Sequence, residues 1–195
     1  MASKLPPPRK ALLAIDKKAR DAFVPYRRTA PVKAIAWLSE LGDQPQMRTL
    51  AGGMMAAGLV RGDGRMMRAG VRMLIAHELA TALKNMVKHR VDRVRPRSAT
   101  DKEQQKPKAG RSEKKEDTSF PSGHSAGSMA TALAFAAEYP RHRGKAVAVA
   151  SSVALAQIPR CAHYPTDVAA GVVVGAAAER LVAIVSRRLA TLLVR

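Results

Sequence analysis

"DVAAGVVVGAAAERLVAIVS", residues 167–186, decides between a helical and a sheet-based fold. It runs for 20 residues on Ala, Val, Leu and Gly, with no period-2 alternation of apolar and polar positions. A strand of that length and composition is not credible; a helix is. The stretch also matches the roughly 20 apolar residues needed to cross a hydrocarbon core about 30 Å thick, apart from Glu179 and Arg180.

Working outward, five further segments share the Ala, Leu, Met and Val content. With the one just read, the predicted helices are 31–42, 47–60, 66–90, 122–139, 144–158 and 165–193. Breakers separate them: "LGDQP", "RGDG", the polar stretch 97–119, "YPRHRG" and "IPRCAHYP". No strand signal and no internal repeat occurs. The predicted fold class is all-α, a six-helix bundle over 30–195, preceded by a basic, proline-containing tail over 1–29 with a short amphipathic helix near 10–23. Small residues in "AGGMMAAG" and "AAGVVVGAAA" suit close helix packing in lipid and equally suit a tight soluble bundle. Hydropathy leaves both open.

Lys and Arg outnumber Asp and Glu by 34 to 15, a formal net charge of +19. Such a surplus calls for anionic partners: nucleic acid, lipid headgroups or phosphorylated substrates. Aromatic content of 4% leaves few stacking platforms for single-stranded nucleic acid. The single cysteine, Cys161, excludes an internal disulfide and a multi-cysteine metal site. "MASKLPPPRKALLAIDKKAR" shows no h-region of a removable signal peptide. With six spans and a cytoplasmic N-terminus, 20 Lys/Arg fall inside and 13 outside, as the positive-inside rule requires. Eleven of the outside set crowd into 88–115 and need a job of their own.

Three boundary clusters supply chemistry. "KHRVDRVRP", 88–96, carries four Lys/Arg, of which Lys88 and Arg95 bracket the run; lysine offers a compact charge and arginine a planar fork for phosphate oxygens. "SFPSGHSAG", 119–127, turns at Pro121 and Gly123 into a helix whose free N–H groups favour an anion, with Ser122 as a hydroxyl donor and His124 on the first turn. "HYPTD" places His163 and Asp167 four apart, where a carboxylate can fix one imidazole nitrogen and leave the other to attack. Each has an ordinary reading: a helix cap, a local ion pair, and cations complementing a helix C-terminus. Their order and complementary roles point instead to phosphoryl transfer through a histidine. His77 and Glu78, mid-helix and lacking a third ligand, read as structural, His142 as solvated, and Asp92 as an ion-pair partner of Arg95 or Lys88.

The ordered trio resembles the type 2 phosphatidic acid phosphatase superfamily, which also includes the vanadium haloperoxidases. Lys88, Arg95 and Pro96 match its first motif, lysine, six residues, Arg-Pro; Pro121 to His124 match its Pro-Ser-Gly-His unchanged. His163 and Asp167 match the end of its third motif, Ser-Arg, five residues, His, three residues, Asp. The resemblance covers roughly residues 30 to 193. At the Ser-Arg positions this chain has Ala156 and Gln157, so one phosphate-gripping arginine is missing from its usual place. Arg160, three residues on, is the expected substitute, and Gln157 keeps one uncharged N–H donor.

The resemblance implies a metal-independent lipid phosphatase without cofactor: His163 attacks phosphorus, Asp167 holds its tautomer, and His124 protonates the leaving oxygen. Lys88, Arg95, Arg160, Ser122, Gly123 and Gln157 then bind the phosphoryl oxygens. It further implies a multi-pass protein of the cytoplasmic membrane, with its motif loops at one end, facing outward. The stretch 97–119 is expected to be a mobile flap near the headgroups. The implied partner is a lipid phosphate or diphosphate: phosphatidic acid, phosphatidylglycerol phosphate, a polyprenyl diphosphate or a lipid A phosphate. Nucleic acid is not an expected partner, and sequence sets no oligomeric state. Three alternatives remain: a haloperoxidase, whose extra length this chain lacks; a basic nucleic-acid-binding protein using 84–115; and an impaired relative that binds lipid phosphate without turnover.

Overall fold

The structure, a computed structural model, describes residues 7–100 and 105–193. The described residues form seven α-helices: α1 (Pro7–Phe23), α2 (Ala30–Ser39), α3 (Gln44–Arg61), α4 (Gly64–Lys88), α5 (Gly123–Glu138), α6 (Arg143–Ala156) and α7 (Pro165–Leu193). The last six match the six predicted segments. The polar breakers act as expected: Gly62 ends α3 at φ 64°, and the Asp63 side chain accepts the N–H groups of Arg65 and Met66 at the start of α4.

Among the described residues, strand pairing departs from the all-helical expectation in a two-residue antiparallel ribbon, β1 (Val91–Asp92) with β2 (Lys108–Ala109). It changes the reading of the polar stretch. Residues 105–119 are not a free flap but are strapped along the first motif: Arg93 N donates to Asp117 O at 2.6 Å and Arg95 N to Glu116 O at 2.8 Å. The remaining residues of the stretch's middle, 101–104, lie outside the described residues.

Helix α5 sits at the centre, packed against α4, α6 and α7, and α3 packs on α4. The core is built of small side chains: Ala51, Ala76, Ala80, Ala126, Ala130, Ala134 and Ala178, with Met73 and Val182. Large apolar side chains point outward instead, among them Trp37, 75% exposed, and Val60, 87% exposed. The α5–α7 crossing is close enough that a Cβ on Gly175 would lie 2.3 Å from Ala126 O, and one on Gly171 2.4 Å from Ser122 O. Glu179, which interrupts the apolar run of α7, meets Arg72 of α4 at 2.5 Å.

Among the described residues, one helix is long and apolar enough to span a membrane, Pro165–Leu192. At 10 residues, α2 is about 15 Å long by the helical rise, short of a full crossing. The up-and-down course brings the ends of α2, α4 and α6 and the starts of α3, α5 and α7 to the same side. All three motifs therefore lie at one end of the bundle. Helix α1, in the stretch read as a tail, packs against α7 and buries Asp16 to 1% exposure.

Candidate active site

That end of the bundle holds a cavity of about 400 Å³, lined by residues from every motif: Lys88, Arg95, Gly123, His124, Gln157, Arg160 and His163. Helix α4 delivers Lys88 on its last turn, and the extended chain after it carries Arg95. The Arg95 guanidinium is fixed by two carbonyls, Lys115 O at 2.8 Å and Ala162 O at 3.0 Å. This leaves Nη1 3.3 Å from His163 Nε2.

His163 is 4% exposed, in the turn before α7. Its Nδ1 lies 2.6 Å from Ser119 O and 3.8 Å from Asp167 Oδ2. A carbonyl can only accept, so Nδ1 carries the proton and Nε2 keeps its lone pair toward the cavity. The Ser119 carbonyl, rather than Asp167 alone, fixes the tautomer. Burial pushes the His163 pKa down, the nearby Asp167 carboxylate pulls it up, and the Arg95 guanidinium lowers it further; the balance falls below the usual imidazole range. A neutral imidazole is the form able to act as a nucleophile.

Asp167 is fully buried at the first turn of α7. Its Oδ2 accepts Tyr164 N at 2.9 Å and its Oδ1 accepts Arg93 Nη1 at 2.5 Å. The backbone ties the motifs as well, since Ser122 N donates to Asp167 O at 3.0 Å.

Three sequence-assigned donors are differently employed. Ser122 is fully buried as the cap of α5, where its Oγ accepts Ser125 N at 3.4 Å and Ser125 Oγ at 2.8 Å, and it does not line the cavity. Its capping role, the ordinary reading, is the one the geometry supports. Gln157 lines the cavity, but its Nε2 donates to Val153 O at 3.0 Å. Arg160 reaches the cavity wall, where Nη1 donates to Ser39 Oγ at 2.8 Å and Nη2 to Glu40 Oε1 at 2.7 Å.

Sequence reasoning missed several lining groups. Lys84, 8% exposed, stands one helical turn before Lys88 and within reach of Gly123, a spacing of four that a helical reading of "LKNMVK" contains. Lys115 and Arg97 add cations, and Glu40 and Asp43 add carboxylates. Asp43 Oδ1 lies 2.7 Å from His124 Nε2, an ion-pair distance. Burial, and then the hydrogen bond to and charge of Glu40, push the Asp43 carboxyl up to about 6. Glu40 itself is raised by burial but pulled below the usual range by its hydrogen bonds with Asp43 and Arg160. Ligand atoms of Glu40, Asp43 and His124 lie within 4.8 Å of one another, a grouping able to hold a cation, although Arg160 already partners Glu40. Asp92 pairs with neither Arg95 nor Lys88 as expected; its Oδ1 accepts Ser112 N at 2.8 Å. His77 is buried beside Gly127, Glu78 pairs with Arg48 at 2.6 Å, and His142 is exposed, in line with their non-catalytic readings.

A helical bundle with a histidine nucleophile candidate facing a cationic cavity defines a class of phosphoryl-handling proteins, and comparison with known sequences places the chain within it. The sequence model of the PAP2 superfamily matches residues 69–190, and the chain belongs to that superfamily. Over 70 residues it is 44% identical to the lipid A 1-phosphatase of Rhizobium johnstonii and 43% to that of Rhizobium etli. Those matches span 36% of this chain and 29% and 30% of the relatives, so they cover less than a third of the relatives' length. The fold is similar to the crystal structure of the transmembrane PAP2 type phosphatidylglycerolphosphate phosphatase from Bacillus subtilis. That match has a TM-score of 0.62 at 19% identity, over 92% of this chain and 86% of that one.

Proposed function

We propose that the chain is a lipid phosphate phosphatase that works through a phosphohistidine on His163 and draws on no metal. The observation that carries this reading is the orientation of His163, with Nδ1 held by Ser119 O and Nε2 presented beside Arg95 in a cavity rich in cations. The Nε2 lone pair attacks phosphorus as the bond to the leaving oxygen breaks, and that oxygen takes the proton shared between His124 Nε2 and Asp43 Oδ1, 2.7 Å apart. Burial and the charge of Arg160 push the imidazole down to about 4, while burial pushes the Asp43 carboxyl up to about 6. Water, giving its proton back to His124, then cleaves the phosphorus–nitrogen bond. Lys84, Lys88, Arg95 and Arg160, with the Gly123 N–H, hold the equatorial oxygens.

The lipid character rests on a second feature. An apolar groove of about 450 Å³ runs between α3, α5 and α6, lined by Leu41, Met47, Leu50, Met54, Phe135 and Val149 among others. Leu41 adjoins the cavity residues Glu40 and Gly42, so a headgroup in the cavity leaves an acyl chain at the mouth of the groove. The outward-facing Trp37, Val60 and Val173 over a core of alanines support a bundle seated in a bilayer, where small residues allow helices to approach closely. The charge distribution supports the motif end facing outward from the cytoplasmic membrane. Phosphatidic acid, phosphatidylglycerol phosphate, polyprenyl diphosphate and lipid A phosphate all carry the required headgroup. Phosphate release from a panel of these four by the detergent-solubilised protein tests the reading, and no release from any of them refutes it.

A further inference from the structure

Asp16 is set apart from the other charged residues of its helix. Lys17 and Asp21 pair with one another at 2.5 Å in solvent, whereas Asp16 is 1% exposed and faces the back of the active site. Its Oδ2 meets Arg93 Nη2 at 2.6 Å and Thr166 Oγ1 at 2.5 Å, and its Oδ1 accepts Thr166 N at 3.0 Å. Arg93, also 1% exposed, forks between this carboxylate and that of Asp167, at 2.5 Å, and lies 4.0 Å over the Tyr164 ring. Helix α1 also grips the loop after Arg95, with Arg20 donating to Pro96 O at 3.3 Å and to Ala99 O.

The arrangement poses an electrostatic problem. A buried guanidinium bonded to Asp167 alone would cancel the charge of the carboxylate that faces His163. Asp16 supplies a second carboxylate to the same guanidinium, so the buried cluster of two carboxylates and one guanidinium keeps one negative charge in excess. When His163 Nε2 bonds to phosphorus while Nδ1 keeps its proton, the imidazole becomes cationic. An excess negative charge fixed behind it stabilises that form over the neutral ground state. We infer that Asp16, acting through Arg93 and Asp167, is a positioning residue for the nucleophile, and that helix α1 is thereby part of the catalytic apparatus. The inference rests on the phosphohistidine reading above.

The test uses the full chain in detergent with dioctanoyl phosphatidic acid as the probe, comparing the wild type with Asp16→Asn, Asp21→Asn, Thr166→Val and His163→Ala. Thermal unfolding identifies the folded variants. The inference predicts that folded Asp16→Asn loses about tenfold or more in kcat with KM within about twofold, because the lost interaction acts in the transition state. Asp21→Asn, on the exposed face of the same helix, keeps wild-type values. If Asp16→Asn does not fold, Thr166→Val, which loosens the same contact without removing charge, is expected to lower kcat by about threefold or more at constant KM. Folded Asp16→Asn with wild-type kcat overturns the inference, as does wild-type kcat in Thr166→Val where Asp16→Asn is lost. No release by the wild type refutes the phosphatase reading and this inference with it; release that His163→Ala abolishes and Asp16→Asn leaves intact refutes only this inference.

Discussion

Arg160 and Glu40 meet at 2.7 Å on the wall of the cavity that also holds Lys88, Arg95 and His163, so a guanidinium lines the cavity although positions 156 and 157 carry none. Because Glu40 is 43% exposed, the pair is screened and easily exchanged for a phosphoryl group carrying more charge. Replacing Arg160 by alanine is expected to lower kcat/KM for a lipid phosphate by about 10- to 100-fold, the loss of a charge-assisted hydrogen bond worth about 1.5–3 kcal/mol. Adding Gln157→Arg to that variant restores part of the loss. Steady-state kinetics of the two variants check both.

Asp43 gives a pH dependence of stability with a definite sign. Its folded-state pKa of about 6 lies above the ordinary 3.8, so the folded protein binds more protons there than the unfolded chain. The contribution from this group is present below pH 3.8 and is lost as pH rises toward about 6. The melting temperature of Asp43→Asn minus that of the wild type is therefore expected to increase between pH 4 and 6 and level off above. A flat difference across that window, read by thermal melts, contradicts the assignment.

Gly171 couples packing to the site. A Cβ there would lie 2.4 Å from Ser122 O and 2.9 Å from Ser125 Cβ, with backbone on one side and no flexible end to yield. Gly171→Ala is expected to destabilise the fold by about 1–3 kcal/mol. It also displaces the start of α7, and so Asp167, from the Ser122 N–H, so activity of the folded fraction falls too. Denaturant melts and an activity assay separate the two effects.

Filling the groove tests the lipid reading. Val149→Trp places a bulky ring among Leu50, Phe135 and Ala146. Hydrolysis of dioleoyl phosphatidic acid is expected to fall by about tenfold in kcat/KM while the dioctanoyl substrate changes by less than about twofold, since only the longer chain fills the groove. Equal losses on both substrates would locate the acyl chain elsewhere.

The bundle was legible in the sequence because helical composition and Gly/Pro breakers are local properties, and the ends of α3 to α7 fall within a few residues of the breakers. The motif residues His163, Arg95 and Lys88 were legible for a similar reason: fixed spacings survive in a linear reading. What escaped was set by direction and by distant contact. Arg93 and Arg95 are two apart, a spacing that regular extended chain would put on one face, yet Arg93 reaches Asp16 and Asp167 while Arg95 reaches the cavity. Asp16 lies 77 residues before Arg93, and no local pattern links them. The Ser119 carbonyl has no sequence signature, because it is backbone. Asp43 reads as part of a polar breaker and Glu40 as part of the predicted helix 31–42, until the turn between α2 and α3 brings both beside His124.

In the proposed mechanism His163 is the nucleophile of a phosphatase that draws on no metal. Its most direct test is phosphate release from phosphatidic acid by the solubilised chain in EDTA, beside His163→Ala, with acid-labile, base-stable phosphate on the protein measured during turnover. A phosphohistidine on His163 predicts release that persists in EDTA, labelled wild-type protein, and neither release nor label in His163→Ala. Release by His163→Ala at the wild-type rate, or activity that EDTA abolishes and a divalent cation restores, would contradict it.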